Sequence, residues 1–189
     1  GFTGRGTRAG SDSYILWPAR IGAFTTVLGR HYGHPDTEMF PFSYLVNEPD
    51  GSSRLIPGIA LERISVERDT RKWPSRDRRS KENRADLVTF DALNPYTVSR
   101  LMAGMDILSQ MPAGHDLRQN GFHIAARDIS KGIGRYRDAL LRYFGSVAAP
   151  GPKLETDIAP TDWVDLGGFV TTRQLVNRLG TEIRETSDA

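Results

Sequence analysis

The chain has 189 residues, 38% apolar and 25% charged, which suits one ordinary domain or a domain with an appendage and excludes wholesale disorder. A net charge of +2 gives no ground for a nucleic-acid or anionic-membrane partner. The absence of cysteine removes disulfides, thiolate nucleophiles and Cys-based zinc sites, and it suits a reducing cytoplasm.

The opening GFTGRGTRAGSDS has no apolar period and reads as a flexible or looped lead-in, within a segment of something longer. From Ile15 a step of six begins: Ile15, Ile21 and Val27, with Ala19, Thr25 and His31 four positions after each. An aliphatic residue at the first position of a hexad points inward, and a small one four positions later fits a tight corner. That is the rhythm of a left-handed parallel β-helix. Ile15 to Tyr32 then makes about one turn, too little to bury its own faces without neighbouring coils.

A Gly- and Pro-punctuated loop follows, carrying His31, His34 and Asp36 and closing on Phe40-Pro41-Phe42. Next, Tyr44-Leu45-Val46 and Arg54-Leu55-Ile56 flank a Pro49-Asp50-Gly51 turn, the pattern of a β-hairpin. From residue 62 to 86 arginines and lysines dominate. The run reads either as a solvated linker or as a phosphate-gripping arm of Arg71, Lys72, Arg76, Arg78 and Arg79, with Trp73 available to stack on a ring.

The remainder reads as mostly helical. Asn94 caps a helix that has Pro95 at its first position and an apolar face of Val98, Leu101, Met102, Met105 and Leu108. The short apolar segment Gly121 to Ile124 precedes a second helix, which runs from about Ile129 to Gly145. Residues 146–160 form a linker, and Trp163 to Gly168 a turn-rich docking piece. Thr171 or Thr172 then caps a last helix. The expected class is therefore α+β: a terminal coil of left-handed parallel β-helix with a β-hairpin, then a mostly α-helical C-terminal region. The expected boundaries are 1–60 for the coil, histidine loop and hairpin, 61–90 for the basic connecting arm, and 91–189 for the helical region.

Only the histidine loop holds groups suited to reaction chemistry. A neutral imidazole, His34 or His31, is the natural general base near pH 7, and Asp36 or Glu38 would hold its tautomer. The same two histidines with Asp36 lack the fixed spacing of a metal site, so no metal is assigned. There is no G-x-x-x-x-G-K-[ST] and no G-x-S-x-G, and the cofactor-binding residues stay unassigned.

Hexads followed by GRHYGHPDTEMFPF resemble the hexapeptide-repeat acyltransferases. The aromatic-Pro-Phe closure is similar to that of the xenobiotic acetyltransferase branch, and His34-Pro35 to the loop of sugar O-acetyltransferases. The resemblance implies an acyl group moved from acyl-CoA, as co-substrate rather than bound cofactor, to a sugar, sugar nucleotide or small acceptor. The loop histidine would be the base, and either His31 or His34 can take the role.

GRHYGHPDTEMFPFSYL, KWPSRDRR and DLVTFDALNPYT also resemble an uncharacterised family of large bacterial left-handed β-helix proteins. That resemblance implies further coils before this segment. The alternative function is a non-catalytic scaffold binding a phosphorylated sugar or a partner subunit. Either reading takes a small-molecule ligand, allows a homo-oligomer and places the protein in the cytoplasm, with no membrane span.

Overall fold

Parallel stacking starts at the second residue. Six short strands open the chain: β1 (Phe2–Thr3), β2 (Arg8–Ala9), β3 (Tyr14–Ile15), β4 (Arg20–Ile21), β5 (Thr26–Leu28) and β6 (Arg30–His31). β1 lies parallel to β4, β2 to β5 and β3 to β6, with Phe2 opposite Arg20, Arg8 opposite Thr26 and Tyr14 opposite Arg30. β5 in turn lies parallel to β7 (Tyr44–Asn47), with Thr26 opposite Tyr44, and Arg20 bridges Asp36 in the same sense. The structure, a computed structural model, describes residues 1–80, 88–119, 121–147 and 162–187.

The lead-in expected over residues 1–13 is therefore corrected: it forms another course of strands under β4–β6. Opposite the buried Ile21 and Val27 it presents Thr3 and Ala9, so no large aliphatic series marks it. Gly4 is buried, and a Cβ there would fall 2.5 Å from the backbone nitrogen of Ala23. Of the positions in the six-residue step, Ile21, Val27, Ala19, Thr25 and His31 are buried and Ile15 is half-buried.

One corner repeats every 18 residues with a left-handed backbone, at Gly6 (φ 72°), Phe24 (φ 55°) and Phe42 (φ 57°). A non-glycine residue rarely adopts that conformation unless its surroundings hold it there. Here the rings of Phe24 and Phe42 stack at 5.0 Å with 4° between their planes, so packing holds both. Gly6 avoids the cost and leaves room, because a Cβ on it would fall 2.4 Å from the Phe24 ring.

The expected hairpin forms between β7 and β8 (Ser53–Ile56), with Leu45 opposite Leu55 and both fully buried. β8 then pairs in parallel with β10 (Phe122–Ile124), which pairs antiparallel with β9 (Leu117–Gln119). The result is a six-stranded sheet in the order β2-β5-β7-β8-β10-β9.

The basic run begins as a helix, α1 (Ile64–Arg76), after a 3-10 turn at Ile59–Glu62. Its residues 81–87 lie outside the described residues, as do 148–160 of the linker. α2 (Pro95–Ser109) carries the expected cap: Thr97 N–H donates to Asn94 Oδ1 at 3.1 Å, and Asn94 N–H donates to Thr97 Oγ1 at 3.0 Å. α3 (Ala126–Val147) runs through Gly145 rather than ending there. The docking piece is a hairpin of β11 (Trp163–Leu166) and β12 (Phe169–Thr172). It leads into α4 (Arg173–Ser187), where Thr172 Oγ1 accepts from Leu175 N–H at 3.3 Å. The chain is α+β, and the C-terminal region adds four strands to its helices.

Two contacts fasten the helices to the stack. Tyr136 on α3 is fully buried and donates its hydroxyl to Pro41 O at 3.0 Å. On α2, a Cβ at Gly104 would fall 2.3 Å from Met39 O, a backbone atom with no freedom to swing aside. Alanine gains about 1 kcal/mol over glycine in a helix, but overpacking here is expected to cost more. Gly104→Ala should therefore destabilise the chain by about 1–3 kcal/mol, read as a lower urea midpoint.

Candidate functional site

The two loop histidines have opposite surroundings. His31 sits in β6 at an inward hexad position and is fully buried. Its Nε2 lies 3.2 Å from Leu28 O and its Nδ1 2.8 Å from Ser53 Oγ. A carbonyl can only accept, so Nε2 carries the proton and the Ser53 hydroxyl donates to Nδ1. Both ring nitrogens are thus used inside the protein, tying β6 to β8.

Burial pushes the His31 imidazole below its ordinary range, opposed by the bond to Leu28 O. The folded chain then binds fewer protons than the unfolded chain between that lowered value and about 6.5. Stability is present in full above about pH 6.5 and is lost as pH falls, by at most about 1.4 kcal/mol per pH unit for this one group. Urea midpoints at pH 7.5 and 5.5 are expected to differ in that sense, and His31→Gln should remove this part of the slope while lowering stability at both.

His34 is exposed, three residues on, in a left-handed conformation with φ 52°. Its Nδ1 lies 3.2 Å from Leu16 O, so Nδ1 carries the proton. In the neutral ring this leaves the lone pair on Nε2, with the tautomer set by a backbone carbonyl. That is the form a general base needs.

The carboxylates lie elsewhere. Asp36 Oδ2 is 3.7 Å from Arg20 Nε, and its Oδ1 accepts from Glu38 N–H at 3.2 Å. Glu38 accepts from Arg20 through both Nε, at 2.9 Å, and Nη2, and it also reaches Arg100 Nη2 at 3.4 Å. The Leu16 carbonyl holds the His34 tautomer, the task expected of Asp36 or Glu38.

On the basic arm, Arg71 pairs with Glu67 one turn away at 2.5 Å, and Arg79 grips Asp77 with Nε and Nη2, each at 2.9 Å. Lys72, Arg76 and Arg78 are exposed. Trp73 packs on Phe24, ring centroids 6.3 Å apart, and anchors α1 to the stack. No group of three or more His, Asp or Glu side chains able to hold a metal occurs among the described residues. Nor is any helix among them long and apolar enough to cross a membrane.

Sequence reasoning passed over two features beside the loop. Tyr14 and Tyr32 are exposed with ring centroids 5.5 Å apart, and Trp17 is exposed next to Leu16. The local register pairs Tyr14 with Arg30, an offset of 16, and Tyr32 lies two residues past Arg30, so the sequence spacing of the tyrosines gave no direct signal of their contact. A cleft of about 410 Å³ also opens behind the loop, lined by Gly33, Ser52, Ser53, Arg118, Gln119 and His123 among others.

The stacked courses, the hairpin, α1 and α2 form the span where the chain matches a known family model. That model, described as a domain of unknown function, DUF4954, covers residues 1–112. The chain belongs to this family. The DUF4954 span takes in both loop histidines, Asp36 and the whole arm, and it stops before β9. No curated protein and no solved structure matches the chain.

Proposed function

We propose that this DUF4954 chain carries two courses, and the start of a third, of a left-handed parallel β-helix of the hexapeptide type. We further propose that it takes part in acyl transfer with His34 as general base. The offset of 18 residues in three parallel strand pairs and 16 in a fourth, the buried hexad positions and the corner repeated at Gly6, Phe24 and Phe42 support the architecture. One observation carries the chemistry: His34 Nδ1 lies 3.2 Å from Leu16 O, so in the neutral ring Nε2 of this exposed residue holds the lone pair.

In this reading an acceptor hydroxyl or amine gives its proton to Nε2 as its oxygen or nitrogen attacks the thioester carbonyl of acyl-CoA. The C–S bond breaks, and the departing thiolate recovers the proton from the imidazolium. The acceptor is a sugar, sugar nucleotide or small alcohol or amine, and the setting is the cytoplasm. His31 has no part in the chemistry, because both its nitrogens are occupied within the core. The deciding experiment is transfer from acetyl-CoA to a sugar panel by the chain and by His34→Asn. Equal rates would overturn the proposal.

A second reading, a non-catalytic module for a phosphorylated sugar or a partner subunit, draws on the exposed cations Lys72, Arg76 and Arg78 at the end of α1. Thermal stabilisation by sugar phosphates but not by acetyl-CoA would favour it.

A further inference from the structure

We propose that the outer face of the β3–β6 ladder is a carbohydrate platform, where Tyr14 and Tyr32 seat a neutral pyranose ring beside His34. Its role as an acceptor site rests on the His34 reading; the stacking stands on the rings themselves.

Side chains alternate across a strand. Ile15 and its partner His31 lie on the inner face, so Tyr14 and its partner Arg30 lie on the outer one, and Tyr32, two residues past Arg30, returns to it. The two rings meet at 5.5 Å with 39° between their planes, yet Tyr14 is 46% and Tyr32 55% exposed. Trp17, three residues past Tyr14, is 48% exposed. Two large rings held in contact and left open to water are apolar area that the fold itself does not use. The face is lateral to the direction of stacking, so adding courses to the stack lengthens it without covering it.

Polar groups beside the rings identify the occupant. Arg30 Nη2 lies 2.9 Å from Asp12 Oδ1, and both side chains are exposed, which puts a guanidinium and a carboxylate on the same face. A pyranose has an apolar C–H face for the tyrosine rings and hydroxyls at its edge that donate to a carboxylate and accept from a guanidinium. The pairing of both charge signs argues against a polyanion. Two rings are far short of the roughly 800 Å² per partner of a stable protein interface.

The geometry also couples the platform to the base. Leu16, whose carbonyl holds His34, is two residues past Tyr14, and His34 is two residues past Tyr32. The hydrogen bond that orients the imidazole therefore joins the segments that follow β3 and β6.

The test is binding, read without catalysis. The 189-residue chain is titrated with methyl β-glucoside, methyl α-mannoside and N-acetylglucosamine by saturation-transfer NMR. At least one should show transfer to its ring C–H protons, and Tyr14→Ala with Tyr32→Ala should weaken it tenfold or more at an unchanged melting temperature. Tyr14→Phe should retain it.

No saccharide binding, or equal binding by the double variant, overturns the platform. So does acetyl-CoA binding that depends on the two tyrosines, or self-association that the double variant abolishes. Sugar binding on the tyrosines without any acyl transfer would refute the His34 reading and leave the platform standing. Transfer that needs His34 but not the tyrosines would do the reverse.

Discussion

Replacing His34 with asparagine is expected to lower acyl transfer from acetyl-CoA by about 10²–10⁴-fold, the usual contribution of a positioned base. Asparagine is chosen for two reasons. It tolerates the left-handed conformation at φ 52° better than most residues, and its side-chain amide occupies the place of Nδ1, from which it can still donate to Leu16 O. What it lacks is Nε2. Stability should therefore stay within about 0.5 kcal/mol, as for other exposed substitutions.

His31→Gln is the counterpart. It removes a fully buried ring with partners on both nitrogens, so its effect should fall on the urea midpoint. Transfer per folded molecule should survive. A pair of variants that separates rate from stability in this way identifies which histidine meets substrate; a full rate in His34→Asn ends the catalytic reading.

Features encoded by neighbouring residues were legible in the sequence. Asn94-Pro95 with Thr97 is a cap written within four residues, and Pro49-Asp50-Gly51 specifies its own turn. The hexads from Ile15 were legible because their inward places are aliphatic. The first course was not, because Thr3 and Ala9 fill the places 18 residues before Ile21 and Val27, and strands of two residues get their hydrogen bonds from a course 18 residues later. β9 and β10 were missed because they are three residues each: β10 finds its partner at residues 53–56, and β9 pairs with β10. α1 was hidden by its charges, since one tryptophan supplies its aromatic anchor on the stack.

Within the site, sequence put both histidines in one Gly-rich loop and had no means of ranking them. The difference comes from Ser53, 22 residues beyond His31, whose hydroxyl closes over one imidazole and not the other. Asp36 read as an orienting carboxylate because it lies near in sequence; it pairs instead with the guanidinium of Arg20, on β4.

The largest stability effect is expected at Arg54. Its Nη2 and Nε both reach Asp128 Oδ2, at 2.6 and 3.0 Å, and its Nη1 reaches Glu48 at 3.4 Å. Asp128 lies in the first turn of α3, where the helix dipole favours a negative charge, so this pair joins the sheet to that helix. The side chains of Arg54 and Asp128 are 17% and 8% exposed. Attraction in such a place is offset by desolvation, but removing one partner leaves the other buried and uncompensated.

Arg54→Leu should therefore cost about 3–5 kcal/mol. It strands Asp128 and also releases Glu48, whose other partner is His123 at 3.4 Å. Asp128→Leu should cost less, because Glu48 remains to pair with the guanidinium. Combining the two should cost less than Arg54→Leu alone, since an apolar pair leaves no buried charge behind. Urea melts of the three variants supply the cycle. Additive losses would mean that the two side chains stabilise the fold independently, and the sheet-to-α3 link would then rest on packing around Tyr136.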